Sequence, residues 1–438
     1  MRTHFVLVST LLLAACNSNP SPPVSPVPLP STTTTPAVTD AATDTQPVST
    51  IAAPQADALA GAKPTAIAID KLNADLYGAL KSQPGNMVYS PASIESCLAM
   101  ASAGAKGKTA DEMNKVLHLP NDPAKAGAQF SALLASWAQT DASGPTLNVA
   151  NRLWLQKGYP FVDGYLALTH EKYFADAQTL DFTQAASSAQ TINKSISDST
   201  HGKITDLISP RAILTSTRII LTNAVYFKGK WQTPFDKMST RNEPFTKDDS
   251  TKVTASMMHN MLYASYADVG NAQVLDLPYK GDTRAMSFTI VLPKTGTPLS
   301  AIEQNLTAEK IDGFTKTASN VEVAVSLPKF KATQTVSLAT TLANLGMPTA
   351  FAPGSADFSG ISTNKEGLYI SDVMHKAFIQ VDEDGTEAAA ATAVMMAGAG
   401  APQKLTIFKA DHPFLFFLRD KTNGAVLFAG RLTDPSNS

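Results

Sequence analysis

Between two strand-like runs, Ala377 to Val381 and Leu405 to Phe408, the chain places an uncommon segment, VDEDGTEAAAATAVMMAGAGAP, from Val381 to Pro402. After Glu387 the next charged side chain is Lys404, and no proline occurs from Asp382 to Ala401. The segment can be an exposed loop, a helix favoured by its alanines, or a latent strand. A flexible spacer calls for more Gly, Ser or Pro. A core helix calls for larger apolar residues at intervals of three and four. Neither describes these residues well, so whatever fold surrounds the segment must tolerate a long, nearly uncharged excursion.

The rest of the chain can supply such a fold. Its 438 residues suffice for a sizeable core. With 35 Lys and Arg against 37 Asp and Glu the net charge is −2, which argues against a nucleic-acid binder or a strongly basic membrane-surface protein. Arg2 and His4 precede an apolar run from Phe5 to Ala15, and Leu13-Ala14-Ala15-Cys16 follows the pattern of a bacterial lipobox. The run is too short for a permanent membrane-spanning helix and reads as an export signal over residues 1–15. Cys16 is then the lipidated first mature residue, on an outer membrane or cell surface, and Asn17 after it leans towards the outer membrane. With Cys16 so used, Cys97 has no partner for an intramolecular disulfide and reads as a small buried hydrophobe.

Residues 16–65 are dominated by Pro, Ser, Thr and Ala, and are expected to form an extended tether that cannot bury enough surface to order itself. From residue 66 to 438 a single domain is expected. Helical periodicity runs through Ile67, Ile69, Leu72, Leu76 and Leu80 and stops at Gln83-Pro84-Gly85. Met87-Val88-Tyr89 reads as a short strand, and Ser90-Pro91 as cap and first residue of a helix. Thr109 caps a further helix, Tyr165 to Phe174 looks helical, and Ile192 to Ile208 reads as a polar helix with a turn at His201-Gly202. Ile219 to Phe227 is an apolar, β-branched and aromatic run suited to a buried strand. Strand-like runs recur from Val253 to Ala429, so helices gather in the first half and strands in the second, an α+β arrangement.

No catalytic constellation stands out. Ser102 to Thr109 nearly matches a phosphate loop, but Ser102 replaces the first glycine and the segment ends a helix. Asp382-Glu383-Asp384-Gly385 lacks the spacing of a calcium loop. No two histidines stand three or four residues apart, and no nucleophile elbow is present. No cofactor or metal is expected.

Several segments taken together resemble the serpins, the serine protease inhibitor family. They are Asn86 to Ile94 (NMVYSPASI), Ala103 to Thr109 (AGAKGKT), Leu221 to Trp231 (LTNAVYFKGKW), Asp357 to Ile361 (DFSGI), the stretch from His375 through the alanine run, Ala410 to Phe414 (ADHPF) and Phe428 to Arg431 (FAGR). Their order and spacing span Ile67 to Pro435. The resemblance implies three β-sheets, eight or nine helices and an exposed reactive loop near the C-terminus. It also implies a monomer that is no enzyme but a suicide substrate, whose cleaved loop enters the main sheet as a new strand and disables the attacking protease.

On that resemblance Gly385, Thr386, Glu387, Ala388, Ala389, Ala390 and Ala391 form the hinge of the loop, and counting places the reactive bond at Ala399-Gly400, fifteen residues past Gly385. The loop is slightly longer than in some relatives when measured back from Pro413, so the bond lies within Met396 to Pro402, and cleavage at Met396 would point to chymotrypsin-like enzymes. Proline would block an inserting strand, and none is present from Asp382 to Ala401. Counting alternate residues from Thr386, insertion would bury Thr386, Ala388, Ala390, Thr392, Val394 and Met396, a register without charge. Ser93, Ser96, Asn223 and His375 match the polar cluster called the shutter, beneath the strands that must part. Trp231, Lys329 and Glu383 match the breach at the top of the sheet. The small residues at the bond suit elastase-like or subtilisin-like serine proteases, or papain-like cysteine proteases, and the absence of Lys and Arg between Glu387 and Lys404 disfavours trypsin-like ones. The rival reading is a non-inhibitory member serving as a binding or carrier module.

Overall fold

The computed structural model describes residues 5–14, 56–138, 144–281, 285–364, 367–386 and 405–437. Its strands are β1 (Phe5–Ala14), β2 (Met87–Tyr89), β3 (Thr146–Gln156), β4 (Ala175–Leu180), β5 (Thr217–Lys230), β6 (Arg241–Thr246), β7 (Lys252–Val269), β8 (Ala272–Pro278), β9 (Met286–Pro293), β10 (Ser319–Pro328), β11 (Phe330–Ser337), β12 (Tyr369–Val381), β13 (Gly385–Thr386), β14 (Thr406–Lys409), β15 (Phe414–Asp420) and β16 (Val426–Leu432). The helices are α1 (Ala56–Leu80), α2 (Pro91–Ala103), α3 (Gly107–Val116), α4 (Pro123–Trp137), α5 (Asp163–Tyr173), α6 (Ala185–Ser199), α7 (Leu299–Glu303), α8 (Ala308–Gly313) and α9 (Ala339–Leu345).

One sheet runs in the order β11-β12-β1-β5-β3-β4, and β13 adds a short separate ladder at the end of β5. A second, nine-stranded sheet runs β14-β10-β7-β8-β9-β15-β16-β2, with β6 on β7. The first sheet is antiparallel at every joint except β3 with β4. The two faces of β5 explain its unbroken apolar sequence. Ile219 and Leu221 belong to the core that also holds Leu98 and Met100 of α2, while Ile220, Ala224 and Tyr226 join the core beneath Ile192 and Ile196 of α6. A strand covered on both sides has no use for alternation.

Helix α2, which lies under this sheet, starts as its residues dictate. Ser90 is extended, its hydroxyl accepts from the Ser93 N–H, and Pro91 takes the first helical position where no N–H is needed.

Several boundaries differ from expectation. Helix α3 starts at Gly107 after Lys106, so Thr109, expected as its cap, lies inside the helix and its hydroxyl accepts from the Asp357 N–H at 2.9 Å. Helix α1 begins at Ala56, inside the stretch expected to be tether, and carries Pro64 within it. Small residues allow this: a Cβ added to Gly61 would sit 3.1 Å from Ala132 Cβ of α4, so the two helices pack closely there. Helix α6 ends at Ser199, because His201 and Gly202 both adopt positive φ (47° and 77°). Phe5–Ala14, the apolar run of the expected export signal, forms a strand in the middle of the first sheet. An unbroken apolar run without proline has the composition of a buried strand as well as of a signal core. Cys16 and the rest of the expected tether as far as residue 55 lie outside the described residues.

Candidate functional site: a strand lane and its head

Strands β5 and β12 do not pair with each other. One lane separates them, and β1 fills it, antiparallel to both. Along this lane Phe5 lies opposite Phe227, and Ser9 lies between Asn223 on one side and His375 on the other.

At the head of the lane the chain leaving β12 reverses through Asp382-Glu383-Asp384-Gly385. The Asp382 and Gly385 backbones bond reciprocally at 3.2 Å, and the Asp384 N–H donates to the Asp382 side chain at 3.1 Å. Gly385 is required by both conformation and space. Its φ is +128°, and an added Cβ would meet Gly229 O at 2.5 Å and Trp231 N at 2.6 Å. Beyond the turn, Gly385 pairs with Lys230 and Thr386 with Gly229, so the chain enters the lane beside β5. Thr386 is fully buried, its hydroxyl 2.9 Å from that of Tyr279.

Trp231, Lys329 and Glu383 are brought together around this turn. The Trp231 ring stacks on Tyr279 at 4.7 Å between centroids, and its indole N–H donates to the Asp382 carbonyl at 2.9 Å. Lys329 Nζ reaches the two oxygens of Glu383 at 3.0 and 2.8 Å, and Thr240 Oγ1 donates to the same carboxylate at 2.8 Å. Burial acts to raise the Glu383 carboxyl, yet the hydrogen bonds from Lys329, its own backbone and Thr240 bring it below the ordinary range. Outside, Lys237 pairs with Asp384 on a largely exposed side chain.

Halfway down the lane the groups are neutral. The Ser90 N–H donates to His375 Nε2 at 3.1 Å, and Asn223 Nδ2 donates to Asn151 Oδ1 at 2.7 Å, which in turn donates through Nδ2 to the Tyr173 carbonyl at 2.6 Å. Complete burial drives His375 down to about 3, so its ring stays uncharged. Ser93 is buried beside this group through its N–H bond to Ser90 Oγ. Ser96, also fully buried, donates its hydroxyl to Ala92 O of its own helix at 2.8 Å. On the same helix Glu95 is fully buried with neither carboxyl oxygen bonded among the described residues, and burial pushes its carboxyl well up into the neutral form.

Sequence reasoning missed Ser90, Asn151, Tyr279 and Thr240. Ser90 was visible only as a helix cap, and its contribution here is a backbone N–H that no side-chain pattern reveals. Of the expected hinge, Gly385 and Thr386 are described, whereas Glu387, Ala388, Ala389, Ala390, Ala391 and the expected bond Ala399-Gly400 lie outside the described residues.

Comparison with known proteins adds to this geometry. The family profile "Serpin (serine protease inhibitor)" matches residues 68–435. A serpin-like protein of Thermococcus kodakarensis is 42% identical over 378 residues, covering 86% of this chain and 87% of that one. The leukocyte elastase inhibitor of Homo sapiens is 38% identical over 372 residues, covering 82% of this chain and 97% of the inhibitor. The solved structure titled "Cleaved Serpin 42Da" superposes with a TM-score of 0.77 at 31% identity, covering 85% of this chain and 99% of that one.

Proposed function

The chain belongs to the serpin family, and from that premise we propose that it is an irreversible suicide-substrate inhibitor of serine endopeptidases that prefer small residues, with papain-like cysteine proteases as further targets. The observation that carries this reading is the hinge. Gly385 and Thr386 are turned into the space between β12 and β5 and paired with β5 at the point where an inserting strand would start.

In this reading the protease nucleophile attacks the carbonyl of Ala399. The acyl bond forms, and the amine of Gly400 leaves with a proton. Insertion from Thr386 downward then adds backbone hydrogen bonds to both flanking strands with each residue, and carries the acylated protease away before water can complete hydrolysis. The groups along the lane suit such a passage. Neutral Ser90, Asn223 and His375 can exchange partners while the sheet changes without stranding a charge. Because the hinge residues at Thr386 and Ala388 to Ala391 are small and uncharged, inhibition is favoured over a binding or carrier role.

We also infer that residues 1–15 are removed on export and that lipid on Cys16 anchors the domain to the cell envelope, on the outer membrane or cell surface. Replacing Cys16 by Ser is expected to release the protein from membrane fractions, and full retention would refute the anchor.

The inhibitory reading is tested by mixing the processed chain with pancreatic elastase, subtilisin, chymotrypsin and papain and running denaturing gels. A covalent complex is expected with at least one of them. Thr386→Arg is expected to convert inhibitor to substrate, since it would bury an unpaired charge. Cleavage that yields neither a complex nor any gain in thermal stability would sink the proposal.

A further inference from the structure

The lane beside the hinge is already taken. We propose that Phe5–Ala14 is a removable plug of the insertion lane, which keeps the unprocessed chain from inhibiting anything until residues 1–15 are gone. This rests on the reading that the reactive loop inserts between β5 and β12.

The register carries the argument. Gly385 faces Lys230 and Thr386 faces Gly229, and the same antiparallel pairing continued downward sets residue 388 against Phe227. Phe227 is the partner of Phe5. Plug and hinge therefore lie head to tail in one lane, separated by the single position opposite Lys228. The continued count also sets Thr392 opposite Asn223, the place that Ser9 holds. An inserting loop would need, residue for residue, the backbone partners that β1 occupies. The two occupants exclude each other.

Strand chemistry favours the plug. Phe-Val-Leu-Val-Ser-Thr-Leu-Leu-Leu-Ala holds no charge, proline or glycine and includes β-branched and aromatic residues, whereas the hinge is built on alanines that fit a strand poorly. As a central strand β1 bonds on both sides, from Phe5 on β5 and Val6 on β12 down to Ala14 on both. The ladder slips only at its lower end, between Leu12 and Leu13 on one side and Leu13 and Ala14 on the other, where the chain departs. From there residues 15–55 lead to α1, forty-one residues that span more than about 100 Å when extended, enough to reach from either end of the sheet. Cleavage before Cys16 would cut the covalent tie between plug and domain. The freed segment is then held only by its own bonds, without the high effective concentration that tethering supplies. Export and arming thus become one event.

The test compares the full chain with the same chain carrying Val8→Pro and Leu11→Pro, which remove two donors from a central strand and cannot be accommodated there. Hydrogen exchange should show amides 5–14 of the full chain protected about a thousandfold or more, and protection should vanish in the double variant. With whichever protease forms a complex with the processed chain, complex yield should rise about tenfold from full chain to double variant. Free exchange of amides 5–14 in the full chain, or equal yields from the two chains with a protease that does form a complex with the processed chain, would overturn the plug. Protected amides in the full chain with no complex from the variant or the processed chain would uphold the lane's occupancy and remove the inhibitory reading instead.

Discussion

The head and the middle of the lane solve different problems. At the head, Glu383 is held by an ammonium, a hydroxyl and its own backbone, and Trp231 is clamped by Tyr279 and by the Asp382 carbonyl. In the middle, neutral hydrogen bonds join Ser90 to His375 and Asn223 to Asn151. A charged group fixes geometry because leaving its partner is costly. Neutral groups release one partner for another at small cost. In the proposed mechanism the lane is thus stiff where the loop would enter it and exchangeable where strands would part.

The comparison can be broken first at Gly385. Gly385→Val would force a β-branched residue to φ +128° and press its Cβ against the Gly229 and Trp231 backbones. A local cost of about 3 kcal/mol or more is expected. It should appear as cleavage without complex formation, and normal complex yield would show that the turn is not fixed at the head.

Next is the middle. His375→Ala leaves the Ser90 N–H buried without its acceptor, for an expected loss of about 1–3 kcal/mol by denaturant titration. Its pH dependence is a finer probe. Since burial lowers His375 from 6.5 to about 3, the unfolded chain takes up the proton first. The associated stability is therefore complete above pH 6.5 and declines as pH falls towards 3, at a slope on the order of 1 kcal/mol per pH unit. Glu95 acts in the other direction, its raised carboxyl contributing stability at low pH that is lost as pH rises. Subtracting the stability profile of the variant isolates the histidine. An unchanged slope between pH 6 and 4 in the variant would contradict a neutral, buried ring.

A smaller effect is expected at Glu383→Gln, which keeps the shape but leaves Lys329 without a charged partner. About 1–2 kcal/mol should be lost at neutral pH. The lowered carboxyl of the parent contributes stability above its unfolded value near 4.5 that fades as pH falls through the lower folded value. The variant should lack that acid limb in thermal unfolding. Smallest of all is Lys237→Ala, which removes an exposed partner of Asp384 and should shift stability by no more than about 0.5 kcal/mol. A larger loss would mean that the rim of the head, and not only its buried pair, holds the turn.

How much of this was legible follows from what each residue shows in one dimension. Ile219 to Phe227 announced a strand buried on both faces, and Ser90-Pro91 announced the start of α2, because composition and capping are local properties. The pair Lys329 and Glu383 lies fifty-four residues apart and was reached only through family resemblance. Ser96 was reached only through family resemblance, and its bond to Ala92 O within its own helix is a local contact that the resemblance does not reveal. Strands β4, β6 and β11 went unread, for Ala175–Leu180, Arg241–Thr246 and Phe330–Ser337 are rich in polar residues and are made strands by their neighbours. Phe5–Ala14 carried the right composition for two fates, and composition alone cannot choose between them.

That double fitness has a practical consequence. A leader is ordinarily treated as an address label that can be exchanged for a stronger one. In the proposed export reading, residues 5–14 of the label also form a sheet strand, antiparallel to both neighbours. Exchanging it for a leader interrupted by glycine or proline would change more than the efficiency of secretion. On the plug proposal it would also change what lies between β5 and β12 in the unprocessed chain, and with it the expected yield, solubility and resistance to proteolysis of that chain.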